Sequence, residues 1–97
     1  MEFDWDEGNR AKAQKHGLTL AEIEHAMRTG PRVAPDPMHS LHDEQRFIAI
    51  GRTPSGRHAF IAFCWRDGRI RPISARHMHA REIARYEQAQ RSGDDDR

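Results

Sequence analysis

Apolar positions along this chain follow a helical period in the first third and a strand period in the second half. Leu20, Ile23 and Met27 recur on one helical face, and Gly30-Pro31 closes that stretch. Its start, Thr19-Leu20-Ala21-Glu22, has capping-box spacing, in which Thr19 and Glu22 each satisfy a backbone N–H. Upstream, Asp6 is placed to cap a helix running to about His16, with Gly17 as a left-handed stop. Met1–Trp5 alternates weakly and reads as a short edge strand or an extended lead-in.

Between Pro31 and Asp43 the prolines at 31, 35 and 37 predict a loop, with a short strand around Val33. Beyond it Arg46–Thr53 and Arg57–Trp65 read as strands joined through Pro54-Ser55-Gly56, a hairpin signal. The second strand is apolar on both faces: Ala59, Ile61, Phe63 and Trp65 alternate with Phe60, Ala62 and Cys64. It is therefore expected to be the central strand of a meander over 46–75. Asp67-Gly68 marks the next turn, and Arg69–Ala75 a third strand. Pro72 removes a ladder donor and sends that strand to an edge or beside a bulge. A last helix is predicted from about Ala80 to Arg91, with Ile83 and Tyr86 on its buried face. The order, two helices, three or four antiparallel strands, one helix, is α+β. Residues 1–91 are expected to form a single domain and 92–97 a disordered acidic tail.

Composition adds a charge asymmetry that the net +1 hides. Residues 1–44 carry five Lys or Arg against nine Asp or Glu, whereas residues 45–91 carry ten against three. Fourteen of the sixteen basic residues are arginine, whose planar fork suits phosphate and carboxylate. A GC-rich genome accounts for part of that ratio but not for the clustering. On a pleated strand Arg69 and Arg71 share a face. Such a basic sheet, with Phe60, Trp65 or Tyr86 for stacking, resembles a platform for single-stranded nucleic acid. It equally suits an acidic partner protein, and the plain alternative is a solvated sheet face. A single cysteine, Cys64, forms no internal disulfide, and no apolar run nears the ~18 residues of a membrane span. The expectation is a soluble cytoplasmic protein. Phosphate-loop, paired-cysteine, zincin and hydrolase-elbow motifs are absent, so no cofactor is indicated. His77-Met78-His79 lacks a third metal ligand nearby and reads better as histidines at a helix start.

Several stretches taken in order carry a resemblance. They are Phe3-Asp4-Trp5-Asp6-Glu7-Gly8-Asn9, Lys15-His16-Gly17, Asp36-Pro37-x-His39-Ser40, and Arg46-Phe47-x-Ala49-Ile50-Gly51-Arg52-Thr53. Arg71-Pro72-Ile73-Ser74-Ala75-Arg76-x-Met78-His79 follows, then Glu82 and Tyr86-Glu87. Over residues 3–87 the chain resembles the BrnT family, toxins of bacterial type II toxin–antitoxin pairs. The resemblance implies a RelE-like microbial ribonuclease fold and RNA cleavage that stops translation. It further implies a ribbon-helix-helix antitoxin, with DNA reached only through that partner as the complex represses its own operon. An apolar docking patch for the antitoxin, including parts of the last helix or the open sheet edge, follows, and with it self-association, as a homodimer for instance, when the chain is alone. Two departures stand out. Arg10-Ala11-Lys12-Ala13-Gln14 replaces a stretch where many relatives have Asn, and His79 stands where many have Thr.

Metal-free RNA cleavage needs a base for the 2′-hydroxyl, a cation for the phosphorane-like charge and an acid for the leaving oxygen. Arg76, directly after the last strand, is the first choice for the phosphate, with Lys15 as a second cation. His79 or His16 has the chemistry to move protons near neutral pH, and Glu82 or Tyr86 to orient or replace them. Arg46, Arg57, Arg69 and Arg71 are the expected RNA contacts. The plainer roles are a helix cap for Glu82, at capping-box spacing from position 79, and a helix-dipole contact for His16. The reading from another class is a non-catalytic basic module that binds an acidic protein or nucleic acid.

Overall fold

The computed structural model describes residues 1–95, with side chains through Ser92. Helices α1 (Glu7–Ala13) and α2 (Leu20–Arg28) precede strands β1 (Arg32–Pro35), β2 (Arg46–Arg52), β3 (His58–Arg66) and β4 (Arg69–His77), and α3 (Ala80–Asp95) follows. A short 3₁₀ turn, Pro37–His39, lies between β1 and β2. All strand pairs are antiparallel, in the order β1-β2-β3-β4. The expected α+β architecture is present, with β3 flanked on both sides.

Local signals explain the helix starts. Thr19 Oγ1 accepts from Glu22 N at 3.1 Å and Glu22 accepts from Thr19 N at 2.9 Å, the predicted capping box. Asp6 caps α1 in the same reciprocal way with Asn9. Asn9 is buried, and its amide also donates to the carbonyls of Asp4 and Pro72, each at 2.9 Å. It thereby locks the start of α1 to β4. α1 ends at Ala13, short of the expected His16, because the chain tightens: Lys15 N donates to Lys12 O and Gly17 N to Gln14 O. Gly17 then takes a positive φ of 99°. α3 runs past Arg91 to Asp95, since extending an existing helix costs far less than starting one. The expected tail thus overlaps α3 as far as Asp95, and its last two residues, 96 and 97, lie outside the described residues.

One face of the sheet holds the core. Ala49 of β2, Ala59, Ile61 and Phe63 of β3, and Ile70 and Ala75 of β4 meet Ile23, Ala26 and Met27 of α2, with Ala13 and Leu18. Burying each large apolar side chain here contributes ~1.5–3 kcal/mol. Small residues on β2 let α2 approach closely: a Cβ at Gly51 would lie 2.5 Å from the carbonyl oxygen of Ala26. Phe47 stacks on Phe63 with centroids 5.5 Å apart. The N-terminal segment runs parallel to β4 through one bridge, Phe3 to Ile70. It is the extended lead-in rather than a full strand.

Pro72 answers both halves of its expectation. β4 is an edge strand, and its register with β3 shifts at Ala62/Phe63, where Ile73 is the extra residue. The opposite sheet face is only partly covered, with Tyr86 and Gln90 of α3 beside Ile48 and Ile50. Phe60 and Ala62 are only half-buried there, and Trp65 is 53% exposed on the core side. The two-sided apolar pattern of β3 therefore marks a central strand but not a doubly covered one.

Candidate active site

Cross-strand pairing defines what the open face carries. Ile48 lies opposite Ala62, Ile50 opposite Phe60, and Ala34 opposite Ile48, giving an apolar strip. Arginines surround it: Arg32, Arg46 and Arg52 on β1 and β2, Arg66 on β3, and Arg69, Arg71 and Arg76 on β4. Above the strip lies a cleft of about 370 Å³. Ile48, Phe60, Ala62 and Ser74 line it from the sheet, Lys12 from α1, and Asp36 and His39 from the β1–β2 connection.

At the cleft's β4 side Arg76 crosses from strand to helix. Its guanidinium carbon lies 4.5 Å from the centroid of Phe60, the residue opposite it. Nη1 and Nη2 donate to the two oxygens of Glu82 at 2.7 and 2.8 Å, a bidentate fork. Glu82 also accepts from His79 N at 3.0 Å and so caps the first turn of α3. These bonds, Arg76 first and the His79 amide second, pull Glu82 down to about 2. Glu82 in turn holds the Arg76 guanidinium above its ordinary value, against the opposing effect of burial. A planar cation fixed on an aromatic ring can meet phosphate, and in this structure a carboxylate of the same chain occupies its fork.

The remaining predicted residues divide. His79 is exposed at the start of α3. Tyr86, one turn beyond Glu82, packs edge-on against His58 at 6.1 Å between centroids. Burial, then the charge of Arg52, lowers the pKa of His58. Lys15 and His16 are exposed in the turn after α1, and neither lines the cleft. Arg46 lines it and pairs with Glu44 at 3.3 Å. Arg57 is exposed in the β2–β3 connection. Arg69 lies 3.9 Å from Asp4, whereas Arg71 is engaged more fully, with Asp4 at 3.4 Å and Asp6 at 2.8 Å. Burial works against the Arg71 charge, but Asp6 and Asp4 more than offset it, and its pKa rises. Arg71 therefore ties the N-terminal segment to β4 as well as facing the open side. Among the described residues no three His, Cys, Asp or Glu converge as a metal site. Cys64 is buried, and its thiol is pushed up chiefly by that burial, which leaves it a poor nucleophile. Sequence reasoning overlooked Lys12, Ser74 and the Asp36–His39 pair; the Asp-x-x-His spacing in a proline-rich turn was the available signal.

The model of a known protein family, the ribonuclease toxin BrnT of type II toxin–antitoxin systems, matches residues 5–82. The chain belongs to the BrnT toxin family. A comparison with curated proteins finds no match. The BrnT match takes in α1, the whole sheet and the start of α3 as far as Glu82, so it includes every element that lines the cleft. Membership makes this a ribonuclease toxin of a toxin–antitoxin pair, with an antitoxin as partner. Among the described residues no helix is long and apolar enough to cross a membrane.

Proposed function

We infer that this BrnT-family chain cleaves RNA on the open face of its sheet, without a metal ion, and thereby stops translation. The observation that carries this is Arg76, a guanidinium seated on Phe60 at the β4–α3 junction beside an apolar cleft edged with further cations. Phe60 and Ile48 offer a base a surface to stack on, and Arg76, Arg46 and Lys12 offer charge to the backbone. Intramolecular attack by the 2′-hydroxyl uses only a base, a cation and an acid, all available from side chains. RNA reaches the Arg76 fork by displacing Glu82, a carboxylate that holds the place of a phosphate. A ribbon-helix-helix antitoxin neutralises the toxin and brings DNA to the complex. Among the described residues five large apolar side chains, Met1, Val33, Met38, Leu41 and Trp65, are more than half exposed and supply surface for that partner.

The test is cleavage of a model RNA by toxin freed from its antitoxin, with melting temperature recorded alongside. Arg76→Ala is expected to lower the rate ~10²–10³-fold, as removing a donor aimed at developing charge does. Arg76→Lys, which keeps charge and loses the fork, should recover only part. RNA bound tightly but left uncut by the wild type would favour the binding-module reading instead. Full activity in folded Arg76→Ala would remove Arg76 from the site.

A further inference from the structure

The β1–β2 connection holds a pair of side chains that the reaction above leaves without a role. His39 Nδ1 lies 2.8 Å from Asp36 Oδ2. The carboxylate is 17% exposed and the imidazole 67%, so the acid is sheltered and the ring reaches solvent. Both line the cleft over Phe60 and Ile48, and Lys12 and Arg46 line the same cleft.

The turn that carries the pair is fastened to the sheet. Asp36 N donates to Arg46 O at 2.8 Å, Ser40 Oγ donates to Asp36 O at 2.8 Å, and Arg46 N donates to Ser40 Oγ at 2.8 Å. Asp36 is thus held in position relative to β2 by bonds that do not involve its carboxylate. A carboxylate at Nδ1 keeps the proton on that nitrogen and turns the Nε2 lone pair outward as an acceptor. Arg46 engages Glu44 through Nε, and no described bond takes up its Nη groups. A proton acceptor therefore stands in the same cleft as two cations, with Arg76 at its β4 side.

We propose that His39, oriented by Asp36, is the proton-transferring residue of the RNA-cleaving reaction, on RNA laid between the 3₁₀ turn and Lys12. The proposal rests on the ribonuclease reading above. His39 Nε2 takes the proton of a 2′-hydroxyl as that oxygen bonds to the adjacent phosphorus. The bond from phosphorus to the 5′ oxygen breaks, and the 5′ oxygen leaves with a proton from water. The products carry a 2′,3′-cyclic phosphate and a 5′-hydroxyl, and His39 returns its proton to solvent. Lys12 and Arg46 hold the non-bridging oxygens while Phe60 carries a base. Asp36 is a positioning residue, since it acts only through the imidazole.

The experiment uses antitoxin-free toxin and a short model RNA, read as single-turnover rate, RNA affinity, product ends and melting temperature. His39→Ala is expected to lose ~10²–10⁴-fold in rate, with RNA affinity within a few-fold and the melting transition kept. Added imidazole should restore part of that loss. Asp36→Asn keeps an acceptor for Nδ1 but not the charge, so it should lower kcat and leave KM in place. His42→Ala, an exposed histidine of the same connection, should cleave like the wild type. Wild-type rates in folded His39→Ala, or a loss that imidazole does not relieve and that only tracks a lowered melting temperature, would overturn the assignment. A wild type that cuts no RNA would instead refute the ribonuclease reading, and the proposal with it.

Discussion

Gly51→Ala adds one methyl group at the seam between β2 and α2. The new Cβ would meet Ala26 three times: its carbonyl oxygen at 2.5 Å, its carbonyl carbon at 3.1 Å and its Cβ at 3.2 Å. The two shorter contacts are to backbone, so no rotamer change relieves them, and α2 must lift or β2 must bend. Overpacking of this kind costs ~1–3 kcal/mol, and a backbone obstacle places it in the upper half of that range. Lower unfolded-state entropy returns ~0.4–1 kcal/mol, leaving a net loss of ~1–2.5 kcal/mol. In a domain of this size each kcal/mol moves the midpoint by ~4–8 °C. The melting temperature is therefore expected to fall by ~4–20 °C, read by circular dichroism and checked by urea unfolding. Adding Ala26→Gly to this variant removes only the longest of the three contacts and should not restore stability. An unchanged or raised melting temperature in Gly51→Ala would falsify the close approach of α2 to β2. Full rescue by Ala26→Gly would assign the obstruction to the side chain.

Two further outcomes follow from the ion pairs. Arg71→Ala should release the N-terminal segment, lowering stability by about 1 kcal/mol and hastening proteolytic cutting ahead of α1; an unchanged cleavage pattern would count against the Asp4–Arg71–Asp6 link. Glu82 is held at about 2 against an ordinary 4.5, so between those values the unfolded chain binds the extra proton and acid favours unfolding. The melting-temperature difference between wild type and Glu82→Gln should thus be full above about pH 4.5 and fade as pH falls through about 2; a difference independent of pH would argue against the Arg76 fork.

What could be read from the chain was what depends on near neighbours. The Thr19–Glu22 box, the turn at Pro54-Ser55-Gly56 and the two-sided apolar pattern of β3 each lie within a few residues, and each appears in place. The positions of Arg69 and Arg71 on one face follow from strand geometry alone. Their partners do not: Asp4 and Asp6 are more than sixty residues away in sequence. Hence a count of arginines overstates the charge the face presents, because acids from α1's approach and from Glu44 are folded against it. The pairing of Arg76 with Glu82 was equally hidden, since its geometry depends on how sharply α3 leaves β4. At the cleft, Lys12 comes from α1 and His39 from the β1–β2 connection, and only the fold brings them to one opening.

The extra residue in β4 sets the phase of everything after it. Arg69 and Arg71 are odd-numbered and Arg76 is even, yet all three stand on the open side, opposite Arg66, Cys64 and Phe60. A strand without the irregularity at Ile73 would alternate strictly, and a slip of one residue exchanges the two sides of a sheet. Pairing Ile73 into the ladder, unlike deleting it, would then turn Ser74 and Arg76 inward toward α2 and carry Ala75, now 1% exposed, out to the cleft. No chemical group of the proposed site would be missing from such a chain, but its guanidinium would point into an apolar core. The placement of Arg76 is thus a matter of arithmetic as much as of chemistry: this strand should tolerate the loss of Ile73, which leaves Arg76 opposite Phe60, but not the entry of Ile73 into the ladder.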